Sequence, residues 1–410
     1  MFNLEKGAIS PFFCGMKSFW GSPKAAQFNF ILFLVAAVVI TIKLWLSEPV
    51  QIDNIKFPVA AYNNFLIFKW SGFNLVNELP LYISNDPLHY DLFKYSPTCA
   101  LAFLPFYWLP TTMGLLVWNL VNMLLPLWAL HQIIGLRTKT RNILALFLLA
   151  EGVTSLLNAQ SNGLVLGLLM MAIGAFQREK TGKAILLILA SGFIKIFGWI
   201  FFLLFLLRPK AIPKGMLFGI MYGSILLGLP LLFVSVDYLV SEYRWWFVLL
   251  GQDSHTYVKL SFMGWLQSWF GFTPPKNAVL FLALFVQMIP LLWRLKFAVN
   301  SGSSTKFSLL YGSSLLLWVV LFNHMSESAT YVIAVGGMAI FFSGDFIRIN
   351  IKNATVLAMV LLLTILGPTD LYPREMRYWI VESAQLKAFP VLVSYVIIWY
   401  HCLKSARFNG

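Results

Sequence analysis

The stretch "AILLILASGFIKIFGWIFFLLFLLRPK" (residues 184–210) holds a single charge, Lys195, until Arg208 ends the apolar run. Its length suits a hydrocarbon layer of ~30 Å, which takes about 20 apolar residues to cross as a helix. A lysine at the middle of such a helix costs about 2.5–3.5 kcal/mol even on lenient scales. A single crossing would also carry Arg208, Lys210 and Lys214 to the side opposite the other basic clusters. Two short apolar pieces folded back on each other at "SGFIKIFG" (191–198) avoid both costs and put Lys195 near a buried tip. Such a re-entrant hairpin is tolerated at membrane depth only where it lines protein or a watery cavity.

Working outward, the whole 410-residue chain is 59% hydrophobic and 11% charged, against roughly 45–50% and about 25% in soluble domains. No soluble fold hides that surplus, so it faces lipid. With no repeats or linkers, residues 1–410 read as one all-α polytopic membrane domain, a helical bundle of about ten crossings with short re-entrant and interfacial helices. The crossing runs are 27–47, 111–136, 142–157, 162–177, 212–236, 277–296, 307–323, 329–344, 354–368 and 388–404. Clusters such as Arg137/Lys139/Arg141, Arg178/Lys180/Lys183 and Arg348/Lys352 follow alternate runs. The net charge of +14 is therefore topology, with both termini cytoplasmic by the positive-inside rule. It implies membrane lipids, and no nucleic acid, as the partner of the basic residues.

The first apolar run has no small-residue cleavage site behind it and reads as an uncleaved helix. Long periplasmic segments follow at 48–97, 237–276 and 369–387. Within the first, residues 61–82 have helical apolar spacing with Asn63, Ser71, Asn74 and Glu78 on another face, as for a helix lying in the interface. The cysteines Cys14, Cys99 and Cys402 lie far apart and suggest neither a disulfide framework nor a zinc site.

Two charges read as intramembrane, Lys195 and Glu151. Glu151 precedes a polar turn at Asn158, Gln160, Ser161 and Asn162. Either Glu151 and Lys195 pair to hold helices together, or both face a polar cavity in which Lys195 meets a phosphate. Just before the second crossing, "HYDLFKYSPT" (89–98) gathers Asp91, Lys94 and Tyr95, with Asp86 a little upstream. Asp91 stands out among the outer acids because aromatics and Lys94 surround it. His89, His255 and His324 show no metal-ligand spacing, so no metal site or cofactor is implied. There is no GxSxG, P-loop or GxGxxG, which leaves nucleotide chemistry without support.

Four pieces in order resemble glycosyltransferase family 87: "YDLFKYSPTCALAFLPFYWLP", "NAQSNGLVLGLLMMAIGAF", the 184–210 stretch and "NHMSESATYVIAVGG". The family's Tyr-Pro-Pro lead-in to a helix looks like Tyr95-Ser96-Pro97. Its Gly-Gln-x-Asn turn looks like Ala159-Gln160-Ser161-Asn162, and its small-residue helix ending in Lys looks like Ser191 to Lys195. The resemblance covers roughly residues 50–345. It implies a GT-C architecture and an inverting transfer of a mannose-like hexose or a pentose from a polyprenyl-phosphate sugar to a lipid or glycan acceptor, on the outer face of the plasma membrane. The expected base is Asp91, with Asp86 second. Lys94 and Lys195 meet phosphate, and Glu327 or His324 meets sugar hydroxyls. Asn64, Tyr95, Gln160, Asn162 and Glu151 complete the expected substrate-binding set. Two positions depart from the family pattern: Asn64 stands where its members carry an Asp eighteen residues before a Leu-Tyr pair, and Ala329-Thr330 stands where they pair histidines. A transporter or flippase of lipid-linked sugars, or a non-catalytic scaffold derived from the family, remain the alternatives.

Overall fold

A chain this apolar satisfies its backbone in lipid by closing every hydrogen bond within helices, because an orphaned N–H or C=O there costs several kcal/mol. The computed structural model, which describes residues 19–52, 55–83, 88–253, 260–297 and 305–407, is helical throughout. Its only extended pairings among the described residues are the isolated bridges Val50–Val59 and Leu136–Gly344.

In chain order the helices are α1 (Pro23–Leu46), α2 (Asn63–Val76), α3 (Pro97–Trp108), α4 (Thr111–Gln132), α5 (Thr138–Leu157), α6 (Asn162–Gln177) and α7 (Thr181–Ile194). After a 3₁₀ stretch (Ile196–Leu207) come α8 (Ile212–Gly228), α9 (Val236–Asp253), α10 (Phe262–Phe270), α11 (Lys276–Phe297), α12 (Thr305–Leu321) and α13 (Tyr331–Ser343). The chain ends with α14 (Ile351–Met359), α15 (Arg374–Tyr378) and α16 (Phe389–Arg407).

Each predicted crossing run falls on a helix, but among the described residues only six helices are long and apolar enough to span: Pro23–Leu46, Thr111–Gln132, Thr138–Leu157, Pro209–Leu232, Lys276–Lys296 and Phe389–Ala406. This is a multi-pass membrane protein with a smaller set of full-length helices than the expected ten. The other four, Asn162–Gln177, Thr305–Leu321, Ser328–Ser343 and Ile351–Ile365, are shorter. The 16 residues of α6 reach only about 24 Å. α12 is buried from Phe307 to its end, and α13 along its whole length. Their neighbours, rather than lipid, provide their surroundings. The lipid-facing wall is elsewhere: α8 exposes Met216, Leu217 and Ile220, and α11 exposes Phe281, Leu282 and Phe285.

The 184–210 stretch does double back. α7 packs against the 3₁₀ stretch so closely that a Cβ on Gly198 would fall 2.4 Å from Ser191 Oγ. At the far end, Arg208 Nη1 donates to the Phe176 carbonyl at 2.7 Å, with its guanidinium 4.5 Å from the Phe176 ring centre. The beginning and end of the hairpin therefore lie side by side, with Lys195 at the joint.

α2 differs from the amphipathic helix expected over 61–82. Ser71 and Asn74, expected on a polar outer face, are buried with Gly72. A Cβ at Gly72 would sit 2.6 Å from Leu104 backbone atoms, so the two helix backbones meet there. The small-residue side of α2 is its packing face against α3 because only small side chains admit so close an approach.

The two ends of the bundle are chemically unlike. At one end the Arg137 N–H donates to the Ser343 carbonyl at 2.7 Å, the Asp345 N–H to Gly135, and Arg208 reaches Phe176. The basic connections between α4 and α5, between α6 and α7, and after the hairpin thus gather together. At the other end lie the α5–α6 turn, the Lys195 joint and residues 327–330, described below.

The α5–α6 turn closes in a Schellman arrangement, the Ala159 N–H bonding to Leu156 and the Gln160 N–H to Ser155. Ala159 accordingly sits at φ 46, a conformation that suits glycine. An L-residue there costs roughly 1–2 kcal/mol, against a glycine entropy penalty of roughly 0.5–1 kcal/mol. Ala159→Gly is therefore expected to stabilise the protein by ~0.5–1 kcal/mol, read as a raised midpoint of thermal unfolding in detergent micelles.

Candidate active site

The site grows from places where helices stop. Ser96 caps α3, its Oγ accepting from the Cys99 N–H at 3.1 Å and donating to the Phe193 carbonyl at 2.7 Å. That bond fastens the start of α3 to the end of α7, two residues before Lys195. Lys195 Nζ donates to Asn162 Oδ1 at 2.6 Å, and Asn162 Nδ2 donates to the Ala329 carbonyl at 2.9 Å. The joint of the hairpin, the first residue of α6 and the short 3₁₀ turn Ser328–Thr330 are thus linked in series.

The segment before α3 is held by its aromatics. Phe93 is buried with its ring 5.4 Å from Tyr95 and 6.1 Å from Tyr82. Trp246 of α9 donates from Nε1 to the Lys94 carbonyl at 3.3 Å. Asn63 grips Tyr90 by both backbone groups, accepting from its N–H at 2.8 Å and donating to its carbonyl at 2.7 Å. The next residue, Asp91, has φ 75, in the region L side chains rarely adopt, and its Oδ1 accepts from the Leu92 N–H. Glu242 secures α9 to the same loop by accepting from the Leu81 N–H at 3.0 Å. Burial raises the Glu242 carboxyl above the usual range, and that hydrogen bond works against the rise.

These fastenings enclose a cavity of about 360 Å³ lined by Asn64, Asp91, Lys94, Tyr95, Gln160, Lys195, His324 and Glu327, together with Trp246, Asn323 and Thr330. Glu327 and Lys195 share this lining. Asn64 Nδ2 donates to the Asn158 carbonyl at 2.8 Å, which fixes its amide beside the polar turn. A second, apolar cavity of about 490 Å³ shares Ile196, Phe197, Asn323 and His324 with the first and continues between the hairpin, α11 and α12 past Trp199, Leu280, Leu284 and Trp318.

Two expected site residues, Asn162 and Glu151, lie elsewhere, and a third cannot be placed on the lining. Asp86 is outside the described residues. Asn162 is buried behind Lys195 rather than on the lining, occupied by its two hydrogen bonds. Glu151 pairs with neither the cavity nor Lys195. Its Oε1 accepts from Lys387 Nζ at 2.7 Å, both side chains are fully buried, and Lys387 also donates to Ser328 Oγ at 2.9 Å. Lys387 belongs to the segment expected to be solvated outside the bundle, and its burial is a correction to that expectation. The signal available was its position in "SAQLKAFPVL" (383–392), flush against an apolar run. Trp246 also lines the cavity without having been singled out, as does Thr330, which stood out only as a departure from the family pattern. Trp246 stands in no motif named above, and Thr330 makes a capping contact with Glu327, whose N–H it accepts at 3.2 Å.

The lining joins two carboxylates, two ammonium groups and several neutral hydrogen-bonding groups, next to an apolar groove, at the chain segments that carry the family pattern. A family model for glycosyltransferase family 87 matches residues 93–323, more than half of the chain. The chain belongs to glycosyltransferase family 87. A comparison with curated proteins finds no match. Membership makes this a membrane glycosyltransferase acting on a sugar donor and an acceptor. The matched region contains most of the cavity, from Phe93 to Asn323, while Asn64, Asp91 and the 324–330 turn flank it.

The buried pair has a direct test. Removing one partner of a buried ion pair strands the other charge, at about 3–5 kcal/mol, whereas replacing both by apolar groups is often near neutral. Lys387→Met is expected to lose about 3–5 kcal/mol in detergent-micelle unfolding, and Glu151→Leu combined with Lys387→Met to regain most of it.

Proposed function

We propose that the chain transfers a sugar, a mannose-like hexose or a pentose, from a polyprenyl-phosphate donor to a lipid or glycan acceptor, with inversion at the anomeric carbon. Asp91 takes the proton from the acceptor hydroxyl while that oxygen attacks the anomeric carbon, and the bond to the lipid phosphate breaks. Lys195 and Lys94 stabilise the charge building on the departing phosphate. Glu327 and His324 bind sugar hydroxyls, and Asn64, Tyr95 and Gln160 orient donor or acceptor. Asn162 acts through Lys195 as a positioning residue.

The observation that carries this reading is the union of Asp91 and Lys195 in one polar cavity that runs on into an apolar one. A lipid-linked donor has these two parts: a charged phosphate sugar and a hydrocarbon carrier. The grip of Asn63 on Tyr90 supports Asp91 as the base, since it brings a carboxylate-bearing residue to the start of α2, where Asn64 takes the position of the family's Asp. The gathering of basic connections at the end opposite the cavity supports a periplasmic site and cytoplasmic termini under the positive-inside rule.

The protein reconstituted in proteoliposomes, given a radiolabelled polyprenyl-phosphate sugar and an extracted pool of lipids and glycans, is expected to move label into that pool. Asp91→Asn should lower the rate by about 10²–10⁴-fold, the usual share of a general base. Full turnover in Asp91→Asn would remove the base assignment, and direct use of a nucleotide sugar would remove the donor. Sidedness is checked separately by single cysteines: Tyr90→Cys should react with a membrane-impermeant maleimide added to intact cells, and Lys139→Cys only after permeabilisation.

A further inference from the structure

The turn Ser328–Thr330 has two faces. Glu327 and Thr330 look into the candidate active site, whereas Ser328 lines a second cavity of about 280 Å³ with Arg374, Arg377, Tyr378 and Glu382. We propose that this second cavity is a subsite for a hydroxyl-bearing phosphate ester, through which the acceptor is held beside the active site; the acceptor role rests on the transfer reading above.

The donor set argues for that ligand class. Arginine forks match phosphate oxygens two at a time. Arg374 is exposed and has no ion-pair partner among the described residues. Arg377 donates to Asp370, whose side chain is 91% exposed. An ion pair so open to water is worth little and yields readily to a better anion. Glu382 argues against a bare phosphate ion as the sole ligand, because its carboxylate would repel it. The same carboxylate accepts from hydroxyl groups, as do Ser328 Oγ and the Tyr378 phenol. Two guanidinium groups beside a carboxylate and two hydroxyls fit a phosphate carrying a polyol or sugar.

The surroundings argue for headgroup depth. The segment that builds this cavity exposes Leu371, Met376 and Trp379. Exposed Trp269 of α10 is fastened to it, donating from Nε1 to the Ala384 carbonyl at 2.7 Å. Exposed Trp beside apolar side chains is what membrane–water boundaries select. At about 280 Å³ the cavity is near the small end of ligand sites, typically ~300–1,000 Å³, and suits a headgroup rather than a whole lipid. The floor is rigid: Ser328 Oγ accepts from Lys387, itself locked to Glu151.

Native mass spectrometry on the full-length protein, delipidated in detergent and titrated with phosphatidylglycerol, tests the subsite without any sugar transfer. The wild type is expected to bind phosphatidylglycerol in preference to phosphatidylcholine, which lacks the hydroxyls and the net charge. Arg374→Gln with Arg377→Gln should weaken binding by at least about tenfold, the loss of one charge-assisted hydrogen bond. Arg374→Gln alone, at an exposed side chain, should weaken it as well at an unchanged unfolding midpoint, which separates lost binding from lost folding. Displacement by glycerol 3-phosphate as strong as by lipid makes the source soluble, and its failure to compete makes the source lipid-borne; both keep the phosphate-ester site. Equal binding of phosphatidylcholine, or undiminished binding by the double variant, overturns it. Selective binding by a protein that transfers no sugar would instead remove the transfer reading and leave the subsite.

Discussion

In hydrocarbon a helix cannot stop without compensation, because its terminal N–H and C=O groups have no water to turn to. This protein interrupts helices at three points in its cavity end: at residues 158–162, at Lys195 and at 327–330. The interruptions satisfy one another. Lys195 donates to Asn162, Asn162 to the Ala329 carbonyl, and Trp118 to the Ala159 carbonyl at 3.0 Å. A polar cavity follows from that arrangement, since backbone breaks that must meet for their own hydrogen bonding bring their polar side chains with them.

The apolar groove beside the cavity has the same origin. A hairpin that turns at Lys195 leaves its 3₁₀ arm short, and the space between that arm, α11 and α12 is lined by Trp199, Leu280, Leu284 and Trp318. Ile196 and Phe197, immediately after Lys195, belong to both cavities. One chain reversal therefore sets an ammonium group at the junction between a polar chamber and a hydrocarbon slot. In the proposed reaction, that junction would hold the scissile bond of a donor charged at one end and apolar at the other.

The fully buried Glu151–Lys387 pair does a different job. Its desolvation cost is large and its Coulomb gain does not obviously exceed it. What it supplies is registry. It ties the segment after α15 to α5 and, through Ser328, to the turn that carries Glu327 and Thr330. The turn between the candidate active site and the Ser328 cavity thus has a fixed anchor on its far side.

Helical membrane architecture was legible in the sequence because lipid imposes a length and an apolarity that composition and run length report directly. The hairpin was legible as well, since Lys195 and Arg208 make a single crossing costly. Asp91, Lys94, Lys195, Gln160, His324 and Glu327 could be named from polar residues beside apolar runs, and the fold brings them to one cavity. Partnership was not legible. Glu151 finds Lys387 across 236 positions, and Asn162 turns from a lining residue into a support. The buried side of α2 was missed because Ser71, Gly72 and Asn74 look polar in a periodicity count, yet their small size is what lets two backbones touch. Periodicity records which side of a helix differs from the other; which side meets protein depends on shapes that exist only once the helices have packed.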